Sequence, residues 1–380
     1  MNKRIWVGVL VVIAIVAGAI ILSTRERSSG TVTIGAILPL SGDAAAYGKS
    51  AQKGIQLAAE EANALGGVNG TRIVVIYEDT QAKPATGVSA TQKLINIDKV
   101  QAIIGGVASS VTLAAAPLCE RNQVALLSPA SSSPKISDAG DFIFRNAPSD
   151  TLEGGIMAEY AQSALKISRA AVIYVNNEYG AGIKSVFEHK FTGLGGTIVA
   201  SVSFQQGDTD MRTQLASIKG KAPEAVYLIG YKENGTILKQ ARELALKSQF
   251  LSTVMFEDPD ILQVAGKAAE GVIYTASAFD PQSKDEVVKT FVQDFRKKYG
   301  VEPDVFAALS YDSAQILIYA LRRGGTNGPA IRDTLYALRD HQGVMGRLHF
   351  DQNGDVVIEP VVKTVRDGAF VRISRVSSQE

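Results

Sequence analysis

The stretch QAIIGGVASSVTLAAAP, Gln101–Pro117, contains the local pattern that the rest of the chain repeats. An apolar run suited to a β-strand ends at two glycines, two serines follow, and an alanine-rich segment of helical character comes next. Successive strand–loop–helix units of this kind form parallel sheets covered by helices. The stretch therefore predicts an α/β fold and places serine hydroxyl groups where a strand gives way to a helix.

The same unit recurs in two blocks. In the first block, TVTIGAILPL and RIVVIYED predict strands from Thr31 onward, helical segments follow each of them, and the alternation continues to FIFRNAP. The second block starts near Thr151 and runs through RAAVIYV to GVIYTASAFD. A chain of 380 residues is long enough for two such cores. We therefore predict two Rossmann-like lobes, each with a parallel, doubly covered sheet.

The C-terminal third has a different order of elements. DEVVKTFVQDFRKKYG and ALSYDSAQILIYALRRGG predict helices, and RLHFDQNGDVVIEPVVKTV predicts a β-hairpin that turns at Asn353-Gly354. Helices followed by strands suit a chain that crosses between the lobes, and we expect crossings near residues 147–150, 276–280 and 343–347. The predicted architecture is a three-strand hinge joining one lobe of residues 31–148 and 279–344 to a second lobe of residues 149–278 and 345–375.

Charge and cysteine content restrict the classes of partner. The chain has 39 Lys and Arg residues against 38 Asp and Glu residues, without a block of like charges, so it does not suit nucleic acid and favours a small ligand. Its one cysteine, Cys119, follows an alanine stripe and is expected in the core. The three histidines lack metal-ligand spacing. We expect neither a metal nor another cofactor.

The first 30 residues predict an export signal or a membrane anchor followed by a short stalk. Lys3 and Arg4 precede an unbroken apolar run over residues 5–22. This hydrophobic helix is at the lower limit for spanning a bilayer, and no lipid-bearing cysteine follows it. Ala17-Gly18-Ala19 imitates a cleavage site, but the run continues beyond it. In either case we expect the remainder of the chain outside the cytoplasm.

Three motifs that suggest other chemistry fail on spacing. GDAAAYGKS, residues 42–50, differs from a phosphate-binding loop by one residue and predicts a tight turn with Tyr47 facing a cleft. DQNGD matches the start of a calcium loop, but the glycine and the bidentate glutamate that should follow are missing. Ser50 and Ser132 each begin an SxxK pattern without its companion motifs. We therefore do not expect an enzyme.

Two serine-rich loops, IIGGVASS and LLSPASSSP, follow consecutive strands of the first lobe. The carboxyl ends of the strands are where open α/β sheets bind ligands, and a helix N-terminus there attracts a carboxylate. The hydroxyl donors at this edge would be Ser109, Ser110, Ser131 and Ser132. The alternative is that these serines only cap their helices.

Tyrosines at the same sheet edges favour the binding interpretation. Tyr47 follows the first strand of the first lobe, and NNEYG and IGYKENG bring Tyr179 and Tyr231 to the corresponding edge of the second lobe. Hydroxyl donors on one side and aromatic rings on the other describe a cleft for a small zwitterion.

The chain resembles the type I periplasmic binding proteins of the branched-chain amino-acid family, which are the solute receptors of ABC importers. The resemblance extends from Thr31 to Arg375. The segments that carry it are GAILPLSGDAAAYGKSAQKGIQLAAEEANALGGVNG, YEDTQAKPATGVSATQKLI, IIGGVASS, LLSPASSSP, IFRNAPSD, VIYVNNEYGAG, AAEG and ALSYDSAQIL.

The resemblance implies roles for individual residues. Ser109 resembles the serine that holds the ligand carboxylate, and Ser131 with Ser132 resembles the loop that completes the anion site. The aromatic residues that enclose the side chain correspond to Tyr47, Tyr179 and Tyr231.

The family's acidic partner for the α-ammonium group maps onto MFEDPD, where Glu257 or Asp258 could serve, and Asp150 could assist. Lys232, beside Tyr231, departs from the family pattern. The resemblance implies a monomeric receptor that closes on an amino acid and is recognised by a membrane permease. Two alternatives are a membrane-tethered sensor with the same fold and a hydrolase.

Overall fold

The computed structural model describes residues 30–358 and 360–373. Within these ranges, the helices include none that is both long and apolar enough to cross a membrane. The predicted hydrophobic helix and stalk of residues 1–29 lie outside the described residues, as do residues 374–375 of the predicted second lobe.

The first sheet contains five parallel strands in the order β2-β1-β3-β4-β5. Three of them, β3, β4 and β5, are buried along their whole length, as strands covered on both faces must be. The strands are β1 Thr31–Leu38, β2 Arg72–Asp79, β3 Ala102–Gly105, β4 Ala125–Ser128 and β5 Ile143–Arg145. The helices between them are α1 Ala45–Ala64, α2 Pro84–Asn96 and α3 Ser109–Asn122.

The second sheet is mixed and has the order β14-β13-β10-β9-β8-β6-β7. Strands β6 to β10 run parallel and repeat the strand order of the first sheet, whereas β13 and β14 are antiparallel additions. The parallel strands are β6 Arg169–Val175, β7 Thr197–Phe204, β8 Ala225–Ile229, β9 Gln249–Ser252 and β10 Ile273–Ala276. The helices are α4 Asp150–Ser163, α5 Glu178–Gly193, α6 Arg212–Lys219, α7 Glu233–Glu243 and α8 Pro259–Ala265.

Three later helices, α9 Glu286–Tyr299, α10 Val305–Gly324 and α11 Gly328–Tyr336, return to the first sheet. Helix α10 packs along α1. The approach is close enough that a Cβ atom on Gly54 would lie 2.1 Å from the carbonyl oxygen of Ala307, so only glycine fits. We call β1–β5 with α1–α3 and α9–α11 lobe 1, and the second sheet with α4–α8 lobe 2.

The last strands correct one sequence prediction. The single hairpin expected over residues 347–365 is wrong, because β12 Gly346–Leu348 pairs with β11 His341–Gly343, and β13 Val361–Arg366 pairs with β10 and β14 Ala369–Arg372. The turn at Asn353-Gly354 is present and is flanked by a bridge between Phe350 and Val356. An alternating apolar pattern suits any antiparallel partner, and neighbours distant in sequence decide which one is used.

Candidate functional site

The carboxyl ends of the strands in both sheets lead to one cavity. Tyr47 and Ser109 follow β1 and β3, and Tyr179 and Tyr231 follow β6 and β8. In each sheet these two strands are the neighbours at which the strand order reverses, the position where open α/β sheets bind ligands. The residues lining the cavity are Pro39, Ala44, Tyr47, Ala82, Val107, Ala108, Ser109, Ala130, Ser132, Tyr179, Tyr231 and Met255.

A second cavity adjoins the first. The two share Ala130, Ser132 and Met255 in their walls. Most of the second wall is apolar and comes from α10 and from the segments that leave β5, β9 and β10. The remaining lining residues are Ala147, Pro148, Glu153, Val254, Ala276, Ser277, Val305, Phe306, Leu309 and Pro360.

Ser109 and Ser132 provide hydroxyl groups at the cavity wall. The Ser109 hydroxyl oxygen accepts hydrogen bonds from the backbone N–H groups of Ser132 and Ser133, both at 3.2 Å. Its own O–H group is therefore left to donate to a ligand. The buried Ser132 hydroxyl lines both cavities. It lies close enough to the Asp150 carboxyl to lower the pKa of that group, but it forms no hydrogen bond of ordinary geometry among the residues that the structure describes.

Ser110 and Ser131 are not part of either cavity wall. The Ser131 hydroxyl donates to the carbonyl oxygen of Gly106 at 2.8 Å and lies 2.7 Å from the Thr112 hydroxyl. Ser110 lies half-buried in the first turn of α3. Ser131 therefore fixes the shape of the loop, and Ser109 and Ser132 face the cavity.

A buried arginine holds the Ser132 loop in place. The Arg145 guanidinium donates to the carbonyl oxygens of Ser132 and Ser133 at 2.9 and 2.8 Å and to the Ser137 hydroxyl at 2.7 Å. It also forms a bidentate pair with the Asp355 carboxylate at 2.6 and 2.7 Å. All of its N–H groups are thereby paired, as a fully buried guanidinium requires.

The three predicted tyrosines meet across the cavity. The Tyr231 ring lies 6.1 Å from the Tyr47 ring and 5.5 Å from the Tyr179 ring, measured between centroids. The Tyr179 hydroxyl lies 2.6 Å from that of Thr253, and Asn177 donates to the Tyr231 hydroxyl at 3.2 Å. Because burial raises the pKa of each of these phenols, they stay neutral and form an apolar wall with polar edges.

Two buried carboxyl groups lie on one face of α4. Neither oxygen of Asp150 has a hydrogen-bond partner among the described residues, whereas Oε1 of Glu153 accepts from Val254 N–H at 2.7 Å and from the Thr275 hydroxyl at 2.6 Å. Burial raises the pKa of Glu153 to about 7, and burial with the neighbouring Glu153 charge raises that of Asp150. Glu153 lines the second cavity and Asp150 lines neither.

Glu257 and Asp258 do not line either cavity. Oε1 of Glu257 accepts a hydrogen bond from the ammonium group of Lys363 at 2.6 Å. Asp258 caps α8 by accepting from the backbone N–H of Asp260 at 2.9 Å. Sequence reasoning missed Glu153, although its position three residues after Asp150 on a helix placed both carboxyl groups on one face.

The two lobes are in contact around the cavity. Asp43 pairs with Lys232 at 2.6 Å on one side, and Lys135 pairs with Glu178 at 2.8 Å on the other. A Cβ atom on Gly182 would lie 2.9 Å from Cδ of Pro134. The lobes are therefore closed over the cavity, and the ammonium group of Lys232 is engaged outside the cavity walls.

Two α/β lobes of matching strand order, closed over a cavity with serine donors and aromatic walls, define a protein that encloses a small ligand. The chain belongs to the periplasmic binding protein family, since the family model described as "Periplasmic binding protein" matches residues 31–367.

Named relatives are similar over nearly the whole chain. A Leu/Ile/Val-binding protein homolog 2 of Brucella abortus is 27% identical over 365 residues, which is 95% of both chains. The crystal structure of a leucine binding protein, LivK, from Thermotoga maritima has a TM-score of 0.86 and 32% identity, covering 90% of this chain and 98% of that one. LivJ from Streptococcus pneumoniae, in complex with isoleucine, has a TM-score of 0.83 with the same identity and coverage.

Proposed function

We propose that this protein is the extracytoplasmic solute receptor of an ABC importer and that it binds an amino acid between its lobes. The observation that carries the proposal is the polarity of the enclosed space. The hydroxyl groups of Ser109 and Ser132 lie in walls that are mostly apolar, the carboxyl group of Glu153 lies in the second wall, and Asp150 is buried one helical turn from it. These are complementary poles for the carboxylate and the ammonium group of a zwitterion.

The relatives support an apolar side chain on the ligand. LivJ of Streptococcus pneumoniae holds isoleucine, and the Brucella abortus relative is named for leucine, isoleucine and valine. In this chain the tyrosine wall of the first cavity and the apolar wall of the second would surround such a side chain. Burial of apolar surface then adds to the hydrogen bonds at the two poles.

Binding is proposed to select the closed form of a hinged molecule. Reversing a population from about 1:99 to 99:1 needs about 5.5 kcal/mol of differential affinity. Several charge-assisted hydrogen bonds of about 1.5–3 kcal/mol each supply that amount when the ligand contacts both lobes. The closed shape, as a monomer, would be what a membrane permease recognises.

The hinge of this proposal consists of three chain passages between the lobes. We propose two of them at residues 147–150 and 276–280, which directly follow β5 and β10 in the chain. Contact of the Phe350 ring with Phe144, and pairing of β13 with β10, support a third passage between residues 356 and 361. The sequence analysis predicts this third passage at residues 343–347, which is earlier in the chain.

The apolar run of residues 5–22 supports export, or anchoring to the outer face of the cytoplasmic membrane. A near-zero net charge supports a small solute over a nucleic acid as the partner.

Calorimetric titration of the purified protein with leucine, isoleucine, valine and unrelated solutes tests the proposal. We expect saturable one-site binding of at least one apolar amino acid, together with a smaller radius of gyration in solution scattering when the ligand is present. Absence of binding across the amino acids, or binding without compaction, would contradict it.

A further inference from the structure

The second cavity contains one acidic group in a mostly apolar wall, and that combination carries an inference about the ligand. Resting on the proposed function, we infer that Glu153 holds the ligand's ammonium group and that the second cavity takes the ligand's apolar side chain. The ligand would then extend from Ser109, past Ser132 at the junction, into the space bounded by α10.

The Glu153 carboxylate is fixed in position and has an unused acceptor. Oε1 accepts from Val254 N–H and from the Thr275 hydroxyl, which belong to lobe 2. Oε2 accepts no hydrogen bond from the residues that the structure describes. A carboxylate has acceptor sites on both oxygens, so an ammonium group at Oε2 would complete the set.

The unpaired hydroxyl of Ser132 is an independent observation at the same place. It is 3% exposed and lies in the wall that the two cavities share. The Asp150 carboxyl is its near neighbour, but the hydroxyl forms no hydrogen bond of ordinary geometry within the described part of the chain. A buried hydroxyl without a partner costs free energy, and a ligand at the junction would satisfy it. The junction is therefore a polar position between two apolar compartments.

The other candidate acids are engaged elsewhere or lie off the wall. Glu257 pairs with Lys363, and Asp258 caps α8. Asp150 is buried one helical turn from Glu153 and lines neither cavity. Among the described residues that line these two cavities, Glu153 is the one acid.

The wall beyond Glu153 matches an uncharged side chain. It consists mainly of Val254, Met255, Val305, Phe306 and Leu309. A second charge on the ligand would find no counter-ion in that wall, and desolvating it would be costly. The ligand class is therefore α-amino acids with aliphatic or other apolar side chains, and carboxylic acids without an amino group should bind weakly.

The test compares leucine with 4-methylpentanoate, which is leucine without its amino group. Glu153→Gln keeps the oxygen that accepts from Val254 and Thr275 and removes the charge. We expect this variant to bind leucine about tenfold to hundredfold more weakly, while binding of 4-methylpentanoate changes by less than about threefold. Titration calorimetry measures both, and thermal unfolding verifies that the variant is folded.

Two control variants separate this inference from the proposed function. Ser109→Ala should weaken both compounds because both have the carboxylate, and Glu257→Gln should leave their ratio unchanged. If Glu153→Gln binds leucine like the wild type while Ser109→Ala does not, the assignment of Glu153 is overturned and the receptor function stands. If no amino acid binds the wild type, both the proposed receptor function and the assignment of Glu153 are wrong.

A third variant tests whether the ligand's side chain lies in the second cavity, and it does so even if Glu153→Gln does not fold. Val305→Phe narrows the second cavity, so it should weaken leucine binding by about tenfold or more and alanine binding far less. Equal losses for leucine and alanine would show that the side chain lies elsewhere.

Discussion

Ser109 is the residue whose role follows most directly from its contacts. Its oxygen accepts from two backbone N–H groups, and its hydroxyl hydrogen remains available at the cavity wall. We expect Ser109→Ala to weaken amino-acid binding by about tenfold or more, because a hydrogen bond to a carboxylate is lost. Ser110→Ala, outside the cavity walls, is the matched control. Unchanged affinity of Ser109→Ala by calorimetry would remove this residue from the site.

Glu153 should make the stability of the ligand-free protein depend on pH. Its pKa rises from 4.5 to about 7 on burial, so the folded state holds the proton more tightly, and stability falls as pH rises from about 4.5 to about 7. The titratable groups nearest to it are Asp150, Tyr179 and Tyr227, and burial raises the pKa of each of them. Glu153→Gln should therefore raise the unfolding temperature at pH 8 by roughly 2–4 °C and by less at pH 5. Equal differences at both pH values would contradict this.

The sequence shows which residues follow each strand, but it does not show which of their side chains face the cavity. Ser109, Ser132 and the tyrosines follow strands in a repeating pattern, and the structure brings them to one cavity. Cys119 is buried, as predicted. Glu153 looked like an ordinary acid in the first turn of a helix, and Glu257 could not be excluded because its partner Lys363 lies far along the chain.

At the scale of elements, helices and strands could be predicted where the spacing of apolar residues and the residues that end the element indicated the same structure. Gly66 and Gly67 take positive φ values of 95° and 67° and end α1 as expected. The final strands were not predictable, because β12 and β13 take their partners from tertiary neighbours. This error does not affect the predicted α/β class or the predicted alternation of strands and helices, because both depend on the long segments with regular apolar spacing.

The Arg145–Asp355 pair joins β5 to the turn after β12 and supports the Ser132 loop. Removing one partner of such a pair leaves a buried charge, so Asp355→Asn should lower the free energy of unfolding by about 3–5 kcal/mol. The partly exposed pair Arg332–Asp333 is the control, and Asp333→Asn should change the free energy of unfolding by no more than about 1 kcal/mol. Denaturant titration measures both, and similar values would contradict the structural role of Arg145.

At the scale of the molecule, Gly182 lies where the two lobes meet in the closed form. A methyl group there would press on the ring of Pro134 in the opposite lobe. Gly182→Ala should therefore disfavour the closed form and weaken ligand binding by about tenfold, without lowering the unfolding temperature of the ligand-free protein. Gly155→Ala, on α4 with no atom within 4 Å of the new Cβ, should bind like the wild type. Equal affinities for the two variants would mean that closure does not bring these surfaces together.

The exposed ion pairs at the rim contribute little to this closure. Lys232 and Asp43 are each about half exposed, at 47% and 50%. Such pairs are worth at most about 1 kcal/mol, so Lys232→Ala should weaken binding by less than about fivefold, and the loss should disappear at high salt. A larger, salt-independent loss in calorimetry would indicate that Lys232 contacts the ligand.

The late position of helix α10 in the chain affects when lobe 1 can fold during synthesis. The surface of α1 around Gly54 finds its cover only at Ala307, after all of the parallel strands of lobe 2. A nascent chain that has just emerged through β5 therefore lacks a helix of its own first core, and early domain-by-domain folding at the ribosome is disfavoured. We therefore expect lobe 1 to complete its fold only after α10 has been synthesised, so a chain that ends after β5 should not fold stably.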